Sequence, residues 1–121
     1  MASHPAVVVT LDGRLHDPQA PLLHADDLAA VRGDGIFETL LVRDGRPCLL
    51  EAHLARLTQS ARMTDLPAPD LPAWRAAVTV GVERWTIGGR GVHCVSGASS
   101  RSSSRARRRC RQGVISARSC A

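Results

Sequence analysis

Residues Arg32–Met63, RGDGIFETLLVRDGRPCLLEAHLARLTQSARM, decide how this chain is read. Gly35 to Val42 is an apolar, β-rich run, and Asp44-Gly45 is a dipeptide that turns such a run back on itself into Arg46 to Leu49. From Leu50 the period changes. Leu50, Leu54, Leu57 and Ala61 recur at helical spacing along one face, while His53, Arg56 and Ser60 share a neighbouring face. A hairpin followed by an amphipathic helix is therefore expected, with Arg56 set apart from the apolar stripe.

Working outward toward the N-terminus, Ala6 to Leu11 is β-branched and meets Asp12-Gly13 before Arg14-Leu15-His16, which predicts a first hairpin. Asp17-Pro18 and Ala20-Pro21 then impose an irregular connection, because proline fixes its own φ and biases its predecessor away from helix. Leu22 to Val31 reads as a loop with at most one helical turn, closed by Gly33 and Gly35. On the other side, Leu66-Pro67-Ala68-Pro69 ends the first helix and Asp70 is placed to cap a second. Its apolar positions are Leu71, Trp74, Val78, Val82 and Trp85, with Gly81 a weak point costing about 1 kcal/mol relative to alanine.

At 121 residues the chain holds one modest core, built from Leu, Val, Ile and Ala, because Phe37, Trp74 and Trp85 are its only aromatics. All sixteen basic residues are arginine and none is lysine. Residues 1–85 carry eight arginines against eleven acids, a net of −3, whereas residues 86–121 carry eight arginines and no acid, a net of +8, together the +5 of the whole chain. The second piece also lacks proline and any sustained period, so residues 86–121 read as an Arg/Ser-rich low-complexity tail without order. Val92 to Val95 and Val114-Ile115 are its only strand-like scraps, and neither has a clear partner. Cys48, Cys94, Cys110 and Cys120 form no CxxC pair, which predicts no metal site and reduced thiols. The start MASHPAVVVT has no basic n-region and no apolar run long enough for a signal sequence, and no segment reaches the length of a membrane span, so a cytoplasmic location is expected.

The words Gly33-Asp34-Gly35 and His53-Leu54-Ala55-Arg56-Leu57, held apart by a hairpin, resemble the N-terminal segment of the class IV pyridoxal-phosphate enzymes. The resemblance covers roughly Val8 to Trp85 and is nearest to the 4-amino-4-deoxychorismate lyase branch, with the branched-chain and D-amino-acid aminotransferases sharing the same words. It implies an α+β fold: the N-terminal small domain of that family, with antiparallel hairpins plus two helices, incomplete, over residues 1–85. It implies pyridoxal phosphate as cofactor, a small-molecule substrate, and a homodimer as the common assembly. In the family the arginine of the second word binds the cofactor phosphate, which carries over to Arg56, and the aromatic of Gly-Asp-Gly-x-Phe lies on the strand beside the substrate pocket, which carries over to Phe37. The guanidinium supports the first assignment, since it offers a rigid fork of donors to a dianion at any working pH. Phe37 reads equally as a core aromatic. His53 reads as a packing or hydrogen-bonding residue, and Glu38 carries no assigned role.

Family members also need a lysine that holds the cofactor and shuttles the substrate α-proton, and the resemblance places it in a larger domain past Ala121. No residue here can stand in for it, so a catalytic residue is assigned to none and tight cofactor binding is not expected. Two readings compete with an inactive fragment of a lyase or aminotransferase. Arg105, Arg107, Arg108, Arg109 and Arg111 predict weak, non-specific, salt-sensitive adhesion to nucleic acid. Alternatively, residues 1–85 dock onto a partner subunit that supplies the larger domain. The simultaneous loss of acids, prolines and periodicity after Trp85 suggests a change of reading frame there. Translating the other two frames of the coding DNA tests this: one should continue the family pattern with a lysine, and if neither does, the frame change is excluded.

Overall fold

The computed structural model describes residues 6–28 and 33–87 in full and the backbone of 93–100 and 111–119. Among the described residues the elements in chain order are strands β1 (Ala6–Thr10), β2 (Leu15–His16), β3 (Gly35–Arg43) and β4 (Arg46–Pro47), helices α1 (Leu50–Met63) and α2 (Leu71–Ile87), then strands β5 (His93–Ser100) and β6 (Arg111–Ser119). The strands form one sheet in the order β2-β1-β6-β5-β3-β4, with every pairing antiparallel.

The two hairpins and two helices expected from the sequence are present. In the second hairpin Asp44 and Gly45 both have positive φ, 52° and 70°, the mirror-image turn whose twist matches that of its strands. Leu49, which precedes α1, is also left-handed at φ 54° and supplies no side-chain cap. For a non-glycine residue that geometry costs roughly 1–2 kcal/mol, and the packing of α1 must offset it. At α2 the cap is conventional: the Asp70 side chain accepts a hydrogen bond from the Ala73 backbone N–H at 3.1 Å. Asp34 N–H bonds to the Leu28 carbonyl at 3.1 Å, tying the end of the irregular connection to the start of β3. The expected turn before Gly33 falls partly on residues 29–32, outside the described residues.

Both helices contribute to one core against the sheet. β3 alternates, turning Ile36, Leu40 and Val42 inward, and β1 adds Val9. From α1 come Leu54, Leu57 and Ala61, and from α2 come Trp74, Ala77, Val78, Val82 and Trp85. Gly81 is buried as well, so the weak point in α2 lies on the packed face. A two-pronged ion pair joins the helices at the surface: Arg75 Nε and Nη2 donate to Glu51 Oε1 and Oε2 at 2.7 and 2.8 Å. The hydrogen bonds from Arg75 hold the Glu51 carboxyl below its ordinary pKa and raise that of Arg75.

The structure differs from the sequence reading beyond Trp85. The helix continues to Ile87, and the segment read as a disordered tail provides β5 and β6, which sit between the two hairpins. The strands that contain Val95 and Val114 pair with each other, with Val95 opposite Ala117 and Ala98 opposite Val114. The physical reason is that a β ladder is made by backbone groups, so a strand held between β1 and β3 needs no amphipathic period of its own. Residues 88–92, 101–110 and 120–121 are outside the described residues, and the arginine run at 105–109 lies among them.

Candidate functional site

The alternation that buries Ile36, Leu40 and Val42 also turns Glu38 toward the helices, between two core residues. A carboxylate in that position needs partners, because burying an unpaired charge is costly. α1 supplies two of them from one face, three residues apart. Glu38 Oε2 accepts from His53 Nδ1 at 2.9 Å, and Glu38 Oε1 lies 3.6 Å from Arg56 Nε. The first contact is a hydrogen bond that places a proton on Nδ1, since an ionised carboxylate only accepts. The second is an ion pair beyond hydrogen-bond length.

Exposure divides the cluster. The side chains of Glu38 and His53 are 14% and 20% accessible, whereas that of Arg56 is 70% accessible. Across the ladder, the register places Gly97 opposite Glu38, so the neighbouring strand brings no side chain at that position. The strand and helix therefore hold a carboxylate and an imidazole at their interface, and a guanidinium at its rim. Of the three side chains, the Arg56 guanidinium is the one most open to solvent, and none of them is a primary amine.

Phe37, the other residue singled out by sequence, lies on the opposite face of β3 and is 72% exposed. The strand alternation expected to separate it from Ile36 and Glu38 does so, and it takes no part in the core. Phe37 and Arg56 are thus not brought together within this chain. An open cavity of about 420 Å³ lies elsewhere, lined by Gly45, Val82, Glu83, Thr86 and Ile87, and touches none of the cluster. Glu38 and His53 were not assigned to the site from sequence. The available signal was the even-numbered position of Glu38 among Ile36, Leu40 and Val42, which demands an inward partner. His53 was legible only as a neighbour of Arg56.

The sequence pattern of the family described as amino-transferase class IV matches residues 35–106, more than half of the chain. The chain belongs to the class IV aminotransferases. A bifunctional aminodeoxychorismate lyase / D-amino acid transaminase of Mycobacterium tuberculosis is 75% identical over 79 residues, which are 65% of this chain and 27% of that protein. A hypothetical aminotransferase from Mycobacterium tuberculosis superimposes in its apo form with a TM-score of 0.90 at 53% identity, over 97% of this chain and 40% of that one. Its PLP-bound form gives 0.88 at 54% identity, over 95% and 40%. A 4-amino-4-deoxychorismate lyase from Pseudomonas aeruginosa matches with a TM-score of 0.54 at 29% identity, over 84% and 36%. The chain spans about a quarter of the length of the first of these relatives. The match of a class IV fold to nearly the whole chain extends through β5 and β6 as well as the hairpins and helices.

The class IV family is pyridoxal-phosphate-dependent, and the donor set here fits one end of that cofactor. The Arg56 guanidinium, 70% accessible and facing Glu38 through Nε, suits a phosphate dianion. The aldehyde end finds no partner, since the 121 residues include no lysine. Among the described residues no helix is long and apolar enough to cross a membrane.

The geometry makes the Glu38–His53 contact the stabilising half of the cluster. Replacing His53 with alanine leaves the Glu38 carboxylate on the buried face with only the longer Arg56 contact. We expect the unfolding free energy to fall by about 1–3 kcal/mol, read from the urea midpoint. An unchanged midpoint would mean that Glu38 does not depend on His53.

Proposed function

We propose that this chain is the phosphate-side portion of a pyridoxal-phosphate enzyme of the aminodeoxychorismate lyase / D-amino-acid transaminase kind. The observation that carries the reading is Arg56. It is the arginine of the family word, and it stands exposed at the rim of a strand–helix interface with its inner edge against Glu38. The family reaction of the lyase branch converts 4-amino-4-deoxychorismate to 4-aminobenzoate and pyruvate, and the two-part name of the 75% identical relative supports keeping transamination beside it. When bound, pyridoxal phosphate supplies an electron sink for the substrate carbon.

What the residues of this chain contribute is binding and orientation. Arg56 takes the phosphate by its Nη groups, His53 and Glu38 hold the ground beneath it, and Phe37 offers an apolar wall for a substrate on the other face of β3. No covalent attachment of cofactor to a side chain occurs within these 121 residues, so they do not turn over substrate by themselves. Residues 1–85 and 86–121 remain distinct in composition, and we keep the change of reading frame as the origin of that difference. A cytoplasmic location and a small-molecule substrate accompany the reading.

One exposed arginine gives weak binding. A charge-assisted contact worth about 1.5–3 kcal/mol corresponds to a dissociation constant in the millimolar range or weaker. Equilibrium dialysis should show pyridoxal phosphate retained more than pyridoxal, and the difference should vanish in Arg56→Ala. After borohydride treatment, peptide mass mapping should find every side chain unmodified. Equal retention of both compounds, or a loss-free Arg56→Ala variant, would remove Arg56 from the phosphate site.

A further inference from the structure

We infer that Glu38 is a positioning residue that makes Arg56 take a phosphate end-on, through Nη1 and Nη2, with Nε kept to the protein side. A guanidinium can present two kinds of edge to an oxyanion: a side edge formed by Nε with one Nη, or the end formed by the two Nη groups. Glu38 Oε1 stands 3.6 Å from Nε, so the side edge already faces a carboxylate. A phosphate oxygen placed there would meet like charge at short range, whereas one at the end edge, beyond the guanidinium carbon from Nε, stands farther from that charge.

Glu38 is not free to withdraw. Its other oxygen is held by His53 Nδ1 at 2.9 Å, and its side chain is 14% accessible on the face of β3 that carries Ile36 and Leu40. Gly97, opposite in the register, brings no side chain that could draw it away. His53 and Arg56 are three residues apart on α1, so one carboxylate anchors the helix through the imidazole and turns the arginine through the guanidinium. The ligand class this selects is a phosphate monoester or free phosphate approaching from solvent along the arginine axis, where the 70% accessible side chain leaves room. This inference rests on the reading that Arg56 binds phosphate. A carboxylate that only packed the helix would leave the choice of edge open.

The test uses the full 121-residue chain labelled with nitrogen-15 and titrated with inorganic phosphate, following the Arg56 Nε–H and Nη–H resonances, assigned by their loss in Arg56→Lys. In the unsubstituted chain, phosphate should shift Nη–H about threefold or more further than Nε–H, as end-on contact requires. In Glu38→Gln, where the like charge is removed and the shape kept, Nε–H should become as responsive as Nη–H. Glu38→Ala should behave the same way, and if it fails to fold by circular dichroism, Glu38→Gln decides. Equal shifts at Nε and Nη in the unsubstituted chain, or one pattern in both it and Glu38→Gln, would overturn the inference and leave phosphate binding intact. No response of either resonance would instead remove the phosphate reading, and the inference with it.

Discussion

A carboxylate facing inward from β3 constrains how this molecule is put together. Glu38 shares its side of the strand with Ile36, Leu40 and Val42, so the surface that receives α1 is apolar with one acidic point. A helix docked there must bring a hydrogen-bond donor to that point, and α1 does so with His53. Once His53 is placed, the helical period decides the rest: Leu54, Leu57 and Ala61 enter the core, and Arg56 reaches the rim. The pairing does not have to add net stability to matter. A part-buried hydrogen bond to a carboxylate adds little net stability, but removing its donor is costly, which favours one rotation of the helix over others. Leu49 fits the same picture, since its left-handed backbone is unfavourable by itself and is held by the docking of the helix that follows.

The second constraint is the sheet order. β1–β2 and β3–β4 are local hairpins, but they are not neighbours in the sheet; β5 and β6 stand between them. The hairpins therefore join one sheet only when the last third of the chain pairs with the first strands, a long-range closure that comes at high entropic cost and slows folding. The outer strands, β2 and β4, are two residues each, so β4 pairs β3 only at Val42 and Arg43, and the rest of the outer edge of β3 has no strand partner among the described residues. Both helices pack from one side, and the exposed Phe37 marks the other face of β3.

Most of the local structure was legible in the sequence because its signals are local. Asp44-Gly45 predicted a turn that both residues adopt with positive φ, Asp70 predicted a cap that its side chain makes, and the spacing of Leu54, Leu57 and Ala61 predicted the face that is buried. Arg56 was reached through the His-Leu-x-Arg-Leu word, which carries a role that helical spacing alone would not distinguish from a solvated arginine. What stayed hidden depended on partners distant in the chain. Glu38 acquires meaning only from His53, fifteen residues later and on another element. β5 and β6 carry no period because their order comes from backbone pairing with β3 and β1, so a composition rich in Arg and Ser hid them. Phe37 was read as core or pocket with equal weight, and the alternation of β3 takes it out of the core.

Function follows from the same interface. Under the proposed function, a class IV chain that places an arginine at the rim, backed by a carboxylate and an imidazole, receives a phosphate on that side, and the 121 residues include no lysine. The most direct measurement is a crystal structure of the chain grown with pyridoxal phosphate. The phosphate should lie against the two Nη groups of Arg56, with Glu38 still bonded to His53. A phosphate bound away from Arg56, or a Glu38 side chain turned out to solvent, would contradict the proposed link between the half-buried carboxylate and the cofactor site.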